Sequence, residues 1–299
     1  AISGLMRETG GMVDGQVDGN LFGTLRARHE HRLGAPFLRV PGRPVLTYRE
    51  VDDRSAAMAG ALRALDVGIG DRVIVQIDKS TDAIALYLAC LRAGAVLVPL
   101  NTAYTPNEVR YFVDDAEPAV VVARPGTLTE LGARVVHLGT DGDGSFAELA
   151  GSVEPSEGWV ARRPDDLASM IYTSGTTGRS KGAMLTHANL ETNAVALHDI
   201  WRFGADDVLL HTLPIFHVHG LFVAVHCAML SGNEVIFLPR FEVADVIEHL
   251  PSASVMMGVP TQYTRLLADD RFGAATCSSI RLFTSGSAQM TAAVHAEFT

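Results

Sequence analysis

Three features of this sequence predict an α/β fold with parallel-rich sheets covered by helices. Short apolar runs rich in Val and Ile alternate with helical stretches of ten or more residues, and helix-start signals stand between them. Connections of that length join parallel strands, because an antiparallel pair needs only a tight turn. With 299 residues and 47% hydrophobic content, the chain buries a large core, as one large domain or two intimate subdomains.

Residues 1–20 mix glycine, acidic and small residues and are set apart as a lead segment. They carry neither a basic start nor an apolar run of the export type, so the expected location is the cytoplasm. Thr47 and Glu50 stand at the spacing at which a hydroxyl and a carboxylate satisfy the free amides of a first helical turn, and the helix should run to about residue 65. Gly68 and Gly70 punctuate it, and residues 72–77 read as a buried strand. A helix over 82–93 and a strand over 95–100 follow. Thr105-Pro106-Asn107-Glu108 repeats the start signal, with proline where its missing N–H costs nothing. The next strand ends near Ala123.

From 124 to 163 the pattern loosens into Gly, Asp, Ser and Pro, with a strand at 134–138 and a helix at 145–150; a subdomain junction is expected here. Strands are expected at 167–172, 208–213, 234–238, 254–257 and 280–284, and helices at 188–198, 221–230 and 243–250. No apolar stretch reaches the roughly twenty residues of a membrane span. The net charge of −10, with no dense Lys/Arg block, argues against a nucleic-acid partner. Cys90, Cys227 and Cys277 lack any paired spacing for zinc or a disulfide framework and read as buried thiols in a reducing compartment.

Directly after the strand ending at Tyr172 comes Thr173-Ser174-Gly175-Thr176-Thr177-Gly178-Arg179-Ser180-Lys181-Gly182. Glycines let the backbone turn tightly, so that amides and hydroxyls converge on one anion while Lys181 adds a positive charge. That combination suits a polyphosphate, although a hydroxyl-rich surface turn has the same composition. The spacing is not that of a Walker loop.

Residues 172–182 resemble the signature phosphate loop of the adenylate-forming superfamily, which includes acyl-CoA synthetases, luciferases and peptide-synthetase adenylation domains. Residues 46–50, 94–101, 214–220, 258–263 and 285–288 resemble further segments of that family in the same order, so the resemblance runs from about residue 21 to the end. It implies an AMP-binding domain over 21–299, incomplete at its carboxy-terminal end. The family's Tyr-Gly-x-Thr-Glu segment, ribose-binding Asp, hinge and small carboxy-terminal domain have no counterpart in these residues.

The resemblance further implies an ATP-dependent carboxylic acid:CoA ligase acting through an acyl-adenylate, with ATP, Mg²⁺ and CoA as the small molecules required. Thr173, Ser174, Gly175, Thr176, Thr177, Gly178 and Lys181 would hold the phosphates, with the Thr173 hydroxyl near the magnesium. His217 would border the acyl carboxylate, and Lys181 and His217 are the catalytic candidates. Gly286, Ser287 and Ala288 would lie along the adenine. Val259, Pro260 and Ser285 would line the acyl pocket together with His217. His219 reads equally as pocket lining or as packing, and His187, His198, His211 and His226 read as structural or exposed.

Residues 214–221 are most similar to malonyl-CoA synthetases, which implies malonate or methylmalonate. Arg240 could then hold the distal carboxylate through its planar guanidinium, a surface or structural arginine being the other reading. A fatty or aromatic acid:CoA ligase and a nucleotide-binding module without turnover are the alternatives. An amino-acid substrate is disfavoured, because His217 stands where adenylation domains carry an Asp for the substrate ammonium.

Overall fold

The computed structural model describes residues 12–13, 16–173 and 180–298. In chain order the elements are β1 (Met12–Val13), β2 (Gln16–Val17), α1 (Leu21–His29), β3 (Pro36–Arg39), β4 (Leu46–Thr47), α2 (Tyr48–Ala64), β5 (Arg72–Gln76) and α3 (Thr81–Ala93). There follow β6 (Val96–Pro99), α4 (Pro106–Ala116), β7 (Val120–Ala123), β8 (Val135–His137), α5 (Ser145–Ser152), β9 (Leu167–Thr173), β10 (Lys181–Thr186), α6 (His187–Trp201) and β11 (Val208–His211). A π-helical stretch (His219–Val225) runs into α7 (His226–Ser231), and β12 (Glu234–Phe237), α8 (Val243–His249), β13 (Val255–Gly258), α9 (Pro260–Leu267), β14 (Leu282–Ser285) and α10 (Ala292–Phe298) complete the series. No helix among the described residues is long and apolar enough to cross a membrane.

The chain divides into two compact units, Ala1–Glu30 with Arg49–Asn193 and His31–Tyr48 with Ala194–Thr299. Residues 124–163, where the sequence loosens, lie wholly inside the first unit.

The first unit is built on a six-stranded sheet in the order β10-β9-β6-β5-β7-β8. Its pairings are parallel except for β9 with β10. The unbroken apolar runs of β5, β6 and β7 require cover on both faces, and Val73, Ile74, Val98, Val121 and Val122 are fully buried. Helix α3 starts where the Ser80 hydroxyl accepts from the Ala83 N–H and stops at Gly94, whose φ of 69° suits a residue without Cβ. Helix α4 carries the reciprocal cap that Thr105 and Glu108 predict. Its Phe112 is buried against Ile74, Val98 and Val121, burial that stabilises by roughly 1.5–3 kcal/mol for such a side chain.

The second unit has a six-stranded sheet in the order β14-β13-β11-β12-β3-β4, parallel except for β3 with β4. Leu210, Ile236, Val246, Met256 and Tyr263 form its core. The buried Tyr48 phenol donates to the Asn233 carbonyl at 2.8 Å.

Two differences from the sequence expectations bear on function. The segment after the glycine-rich loop, for which no element was expected, is a strand, β10, paired antiparallel with β9. The stretch expected as a helix over 221–230 opens as a π-helix. There the His211 Nε2 lies 2.8 Å from the Gly220 carbonyl, and a Cβ at Gly220 would stand 2.1 Å from the Pro214 carbonyl oxygen. Wide turns of this kind recur at functional sites.

Candidate active site

In the first unit the β9–β10 register sets Lys181 directly across from Thr173 and Gly182 across from Tyr172. Both Thr173 and Lys181 are exposed. A Cβ at Gly182 would lie 2.7 Å from the Met170 Sδ, so a larger residue there would have to displace that flexible side chain. Ser174, Gly175, Thr176, Thr177 and Gly178, expected to hold phosphates, lie outside the described residues. The two strands are tied to α4: the Tyr172 phenol donates to Asp115 at 2.5 Å, and the Tyr111 phenol donates to the Ser180 carbonyl at 2.9 Å. Burial and then the Asp115 carboxylate push the Tyr172 phenol above its ordinary value.

In the second unit a cavity of about 390 Å³ is lined by Leu197, Trp201, His217, Val218, His219, Val223, Thr284, Ser285, Gly286 and Ser287. The carboxy-terminal end of α6, the π-helical entry and the end of β14 supply these walls. The His219 N–H donates to His217 Nδ1 at 3.3 Å, and His219 Nδ1 lies 3.4 Å from the Ser287 hydroxyl. Burial, and secondarily His217, lower the His219 pKa, so its ring is neutral near pH 7. Gly286 lets the loop pass that ring, because a Cβ would stand 3.1 Å from the His219 Cε1, and its N–H donates to the Gly258 carbonyl.

A charged network holds two of these walls. Asp207 takes both Nε and Nη2 of Arg281, the Ser254 hydroxyl and the Gly204 N–H, while Arg281 also donates to the Trp201 and Arg202 carbonyls. Burial pushes the Asp207 carboxyl up, but these donors outweigh it and hold it below its usual range.

Of the residues expected at the acyl and adenine sites, the cavity brings together His217, Ser285, Gly286 and Ser287, and His219 joins them. Ala288 follows as an exposed residue, and Val259 and Pro260 open α9 outside the lining. The Arg240 side chain is 80% exposed, with its Nε 3.0 Å from the Glu242 carboxylate. Leu197, Trp201, Val218, Val223 and Thr284 were not legible as site residues. Apolar or isolated side chains carry no motif, and only the chain's return past β14 gathers them. Among the described residues no group of three or more His, Cys, Asp or Glu is arranged to hold a metal.

Of the remaining histidines, His187 is buried in the first unit, where its Nδ1 accepts from the Leu21 N–H and burial lowers its pKa to about 4. His226 is buried in the second unit, and burial lowers it to about 3.

The AMP-binding enzyme family matches residues 26–299. The mitochondrial malonate–CoA ligase ACSF3 of Homo sapiens is 32% identical over an alignment of 273 residues that covers 82% of this chain and 47% of that protein. A feruloyl-CoA synthase of Amycolatopsis sp is 34% identical over 258 residues, 84% of this chain and 51% of the relative. The crystal structure of apo MatB from Rhodopseudomonas palustris aligns with a TM-score of 0.90 at 43% identity, covering 94% of this chain and 57% of its own. The ATP-bound form aligns at 0.88 and 44%. The chain spans about half the length of the curated relatives it matches.

Proposed function

The chain belongs to the AMP-binding enzyme family, and on that premise we propose that it takes part in joining a carboxylic acid to CoA at the expense of ATP. The β9–β10 register carries this reading, because it sets Lys181 across from Thr173 at the ends of the glycine- and hydroxyl-rich loop. A carboxylate oxygen attacks the α-phosphorus, the bond to pyrophosphate breaks, and the thiol of CoA then displaces AMP from the acyl carbon. The attacking carboxylate is already ionised, its pKa being about 4, so the first step needs no general base. What it needs is compensation for negative charge growing on the leaving pyrophosphate, and the Lys181 ammonium supplies that.

His217 serves the acyl side. With Nδ1 accepting from the His219 N–H, Nε2 is the ring nitrogen left to donate to the acyl carboxylate. Mg²⁺ bound with ATP is held largely by the substrate phosphates, and the exposed Thr173 hydroxyl would be this chain's contribution to it. When bound, the ion neutralises phosphate charge.

Malonate or methylmalonate is the proposed acid, supported by the similarity to malonate–CoA ligase and to MatB. A second reading, an aromatic or longer apolar acid, is supported by the cavity walls Leu197, Trp201, Val218 and Val223 and by the feruloyl-CoA synthase similarity. The deciding experiment is a pyrophosphate-release screen of the full-length protein with malonate, methylmalonate, butyrate and ferulate, with and without CoA. The highest kcat/KM is expected with malonate, and acyl-CoA only when CoA is present. A preference for ferulate moves the substrate and keeps the ligase; no release with any acid leaves a nucleotide-binding module. A cytoplasmic location is proposed as well, and fractionation against a mitochondrial marker tests it, since the human relative is named as mitochondrial.

A further inference from the structure

We propose that α4 is a two-point clamp on the β9–β10 hairpin, with Tyr111 and Asp115 as positioning residues for Thr173 and Lys181. This rests on the reading of that hairpin as the phosphate-handling part of a ligase.

The geometry is specific. Tyr111 and Asp115 are four apart on α4 and share one face. Asp115 accepts from Tyr172, the residue just before Thr173, and Tyr111 donates to the carbonyl of Ser180, the residue just before Lys181. One helix face thus holds the polypeptide on both sides of the loop, one residue away from each exposed polar side chain. Packing alone would not require two hydroxyls aimed in this way.

The hairpin needs such a support. Among the described residues, strand β10 is the edge of its sheet and pairs with β9 alone, so no second strand of that ladder holds Lys181. Edge strands open more readily than central ones, and a displacement of about 1 Å at a reacting centre can cost about a hundredfold in rate. The clamp has a fixed base. Between its two polar residues, Phe112 is 3% exposed and packs its ring on that of Tyr172, centroids 4.5 Å apart and planes tilted by 52°, and the capping box fixes the start of the helix. The bond to a carboxylate is of the stronger, charge-assisted kind, and the raised phenol stays a donor through neutral pH.

The test uses Asp115→Ala, Asp115→Asn and Tyr111→Phe in the full-length protein, with two readouts. The first is hydrogen exchange of the β9 and β10 amides, which needs no turnover; Asp115→Ala and Tyr111→Phe should each speed exchange in β10 about tenfold while β5 and β7 stay unchanged. The second is the split between ATP and acid kinetics. The alanine variant should raise the KM for ATP or lower kcat about five- to tenfold with the KM for the acid within twofold, and the asparagine variant, whose amide oxygen still accepts the phenol, should recover most of that loss. Unchanged β10 exchange in both Asp115→Ala and Tyr111→Phe overturns the clamp. So does faster exchange with ATP and acid parameters lost equally, because the bonds would then serve only general stability. If the wild type turns over no acid while β10 exchange still responds to the variants, the ligase reading falls and the clamp on the hairpin stands.

Discussion

In the first unit Thr173 and Lys181 stand exposed on an edge hairpin, whereas in the second unit His217, His219 and the end of β14 wall a cavity in which the His219 ring is buried. The two places are made by different means. Strand register sets the two hairpin side chains opposite one another, and both stand exposed to water. Desolvation tunes the cavity, where burial keeps His219 neutral and a glycine at 286 makes room for its ring. A site for a highly charged, soluble group can afford water. The cavity, proposed to take the acyl group, is instead walled by Leu197, Trp201, Val218 and Val223.

The largest break in this comparison comes from the hairpin's charge. Lys181→Ala should lower kcat/KM for adenylation about ten- to a hundredfold, as expected when a charge-assisted contact of roughly 1.5–3 kcal/mol is lost. The side chain is exposed, so the far-ultraviolet circular dichroism and the unfolding midpoint should not move. Unchanged ATP kinetics would remove the phosphate role from the hairpin.

On the cavity side the order of effects reverses, with stability failing first. Asp207→Ala strips Arg281, Ser254 and the Gly204 N–H of their shared acceptor and should cost about 2 kcal/mol in urea unfolding. That is below the roughly 3–5 kcal/mol of a fully buried pair, because the Arg281 side chain is 38% exposed. Since Arg281 also grips the Trp201 carbonyl, the KM for the acid should rise more than that for ATP. Equal change in both would mean that the network supports the fold without shaping the cavity.

Both units carry a buried neutral histidine, so both should weaken in mild acid. The folded-state pKa values of His187, about 4, and His226, about 3, lie below the unfolded value of roughly 6.5. Between those values the unfolded chain binds the extra protons, so stability rises with pH and falls as pH drops. From pH 7 to pH 6 the two together should cost about 1 kcal/mol. Urea midpoints across that range check it, and His187→Gln should flatten part of the slope. A flat profile in the wild type would show that these rings are not held neutral.

The same contrast explains what could be read from the sequence. The parallel core was legible because Val73 to Val75 and Val120 to Val122 are continuous apolar runs, and α4 because Thr105 and Glu108 announce its cap in adjacent residues. The candidate phosphate loop stood out in the sequence because its glycines, hydroxyls and lysine are contiguous, although residues 174–179 lie outside the described residues. Strand β10 was not, since on an edge it carries Lys181, Gly182 and the 65%-exposed Met184 without alternation. Trp201 and Thr284 were invisible as cavity residues, because they meet only when β14 runs beside β13 and α6 ends beside them. Tyr111 and Asp115 carried one weak signal, a four-residue spacing on a capped helix, but their partners lie tens of residues away.

The smallest effect is expected at Arg240, and it bears on the acid alone. Its guanidinium is 80% exposed and already faces Glu242, so a distal carboxylate of the substrate would have to replace one carboxylate by another. An exchange at so exposed a position is worth little, about 0.2–1 kcal/mol for a solvated ion pair, which corresponds to at most about fivefold in affinity. Arg240→Ala should therefore raise the KM for malonate by about two- to fivefold and leave propionate and butyrate unchanged, because their tails carry no second charge. Glu242→Gln should act in the opposite direction on malonate by freeing the arginine. If all three acids respond alike, Arg240 drops out of the acyl site, and selection for a dicarboxylate must then come from the cavity itself, where His217, His219 and Thr284 are the polar side chains beside the small residues of the β14 turn.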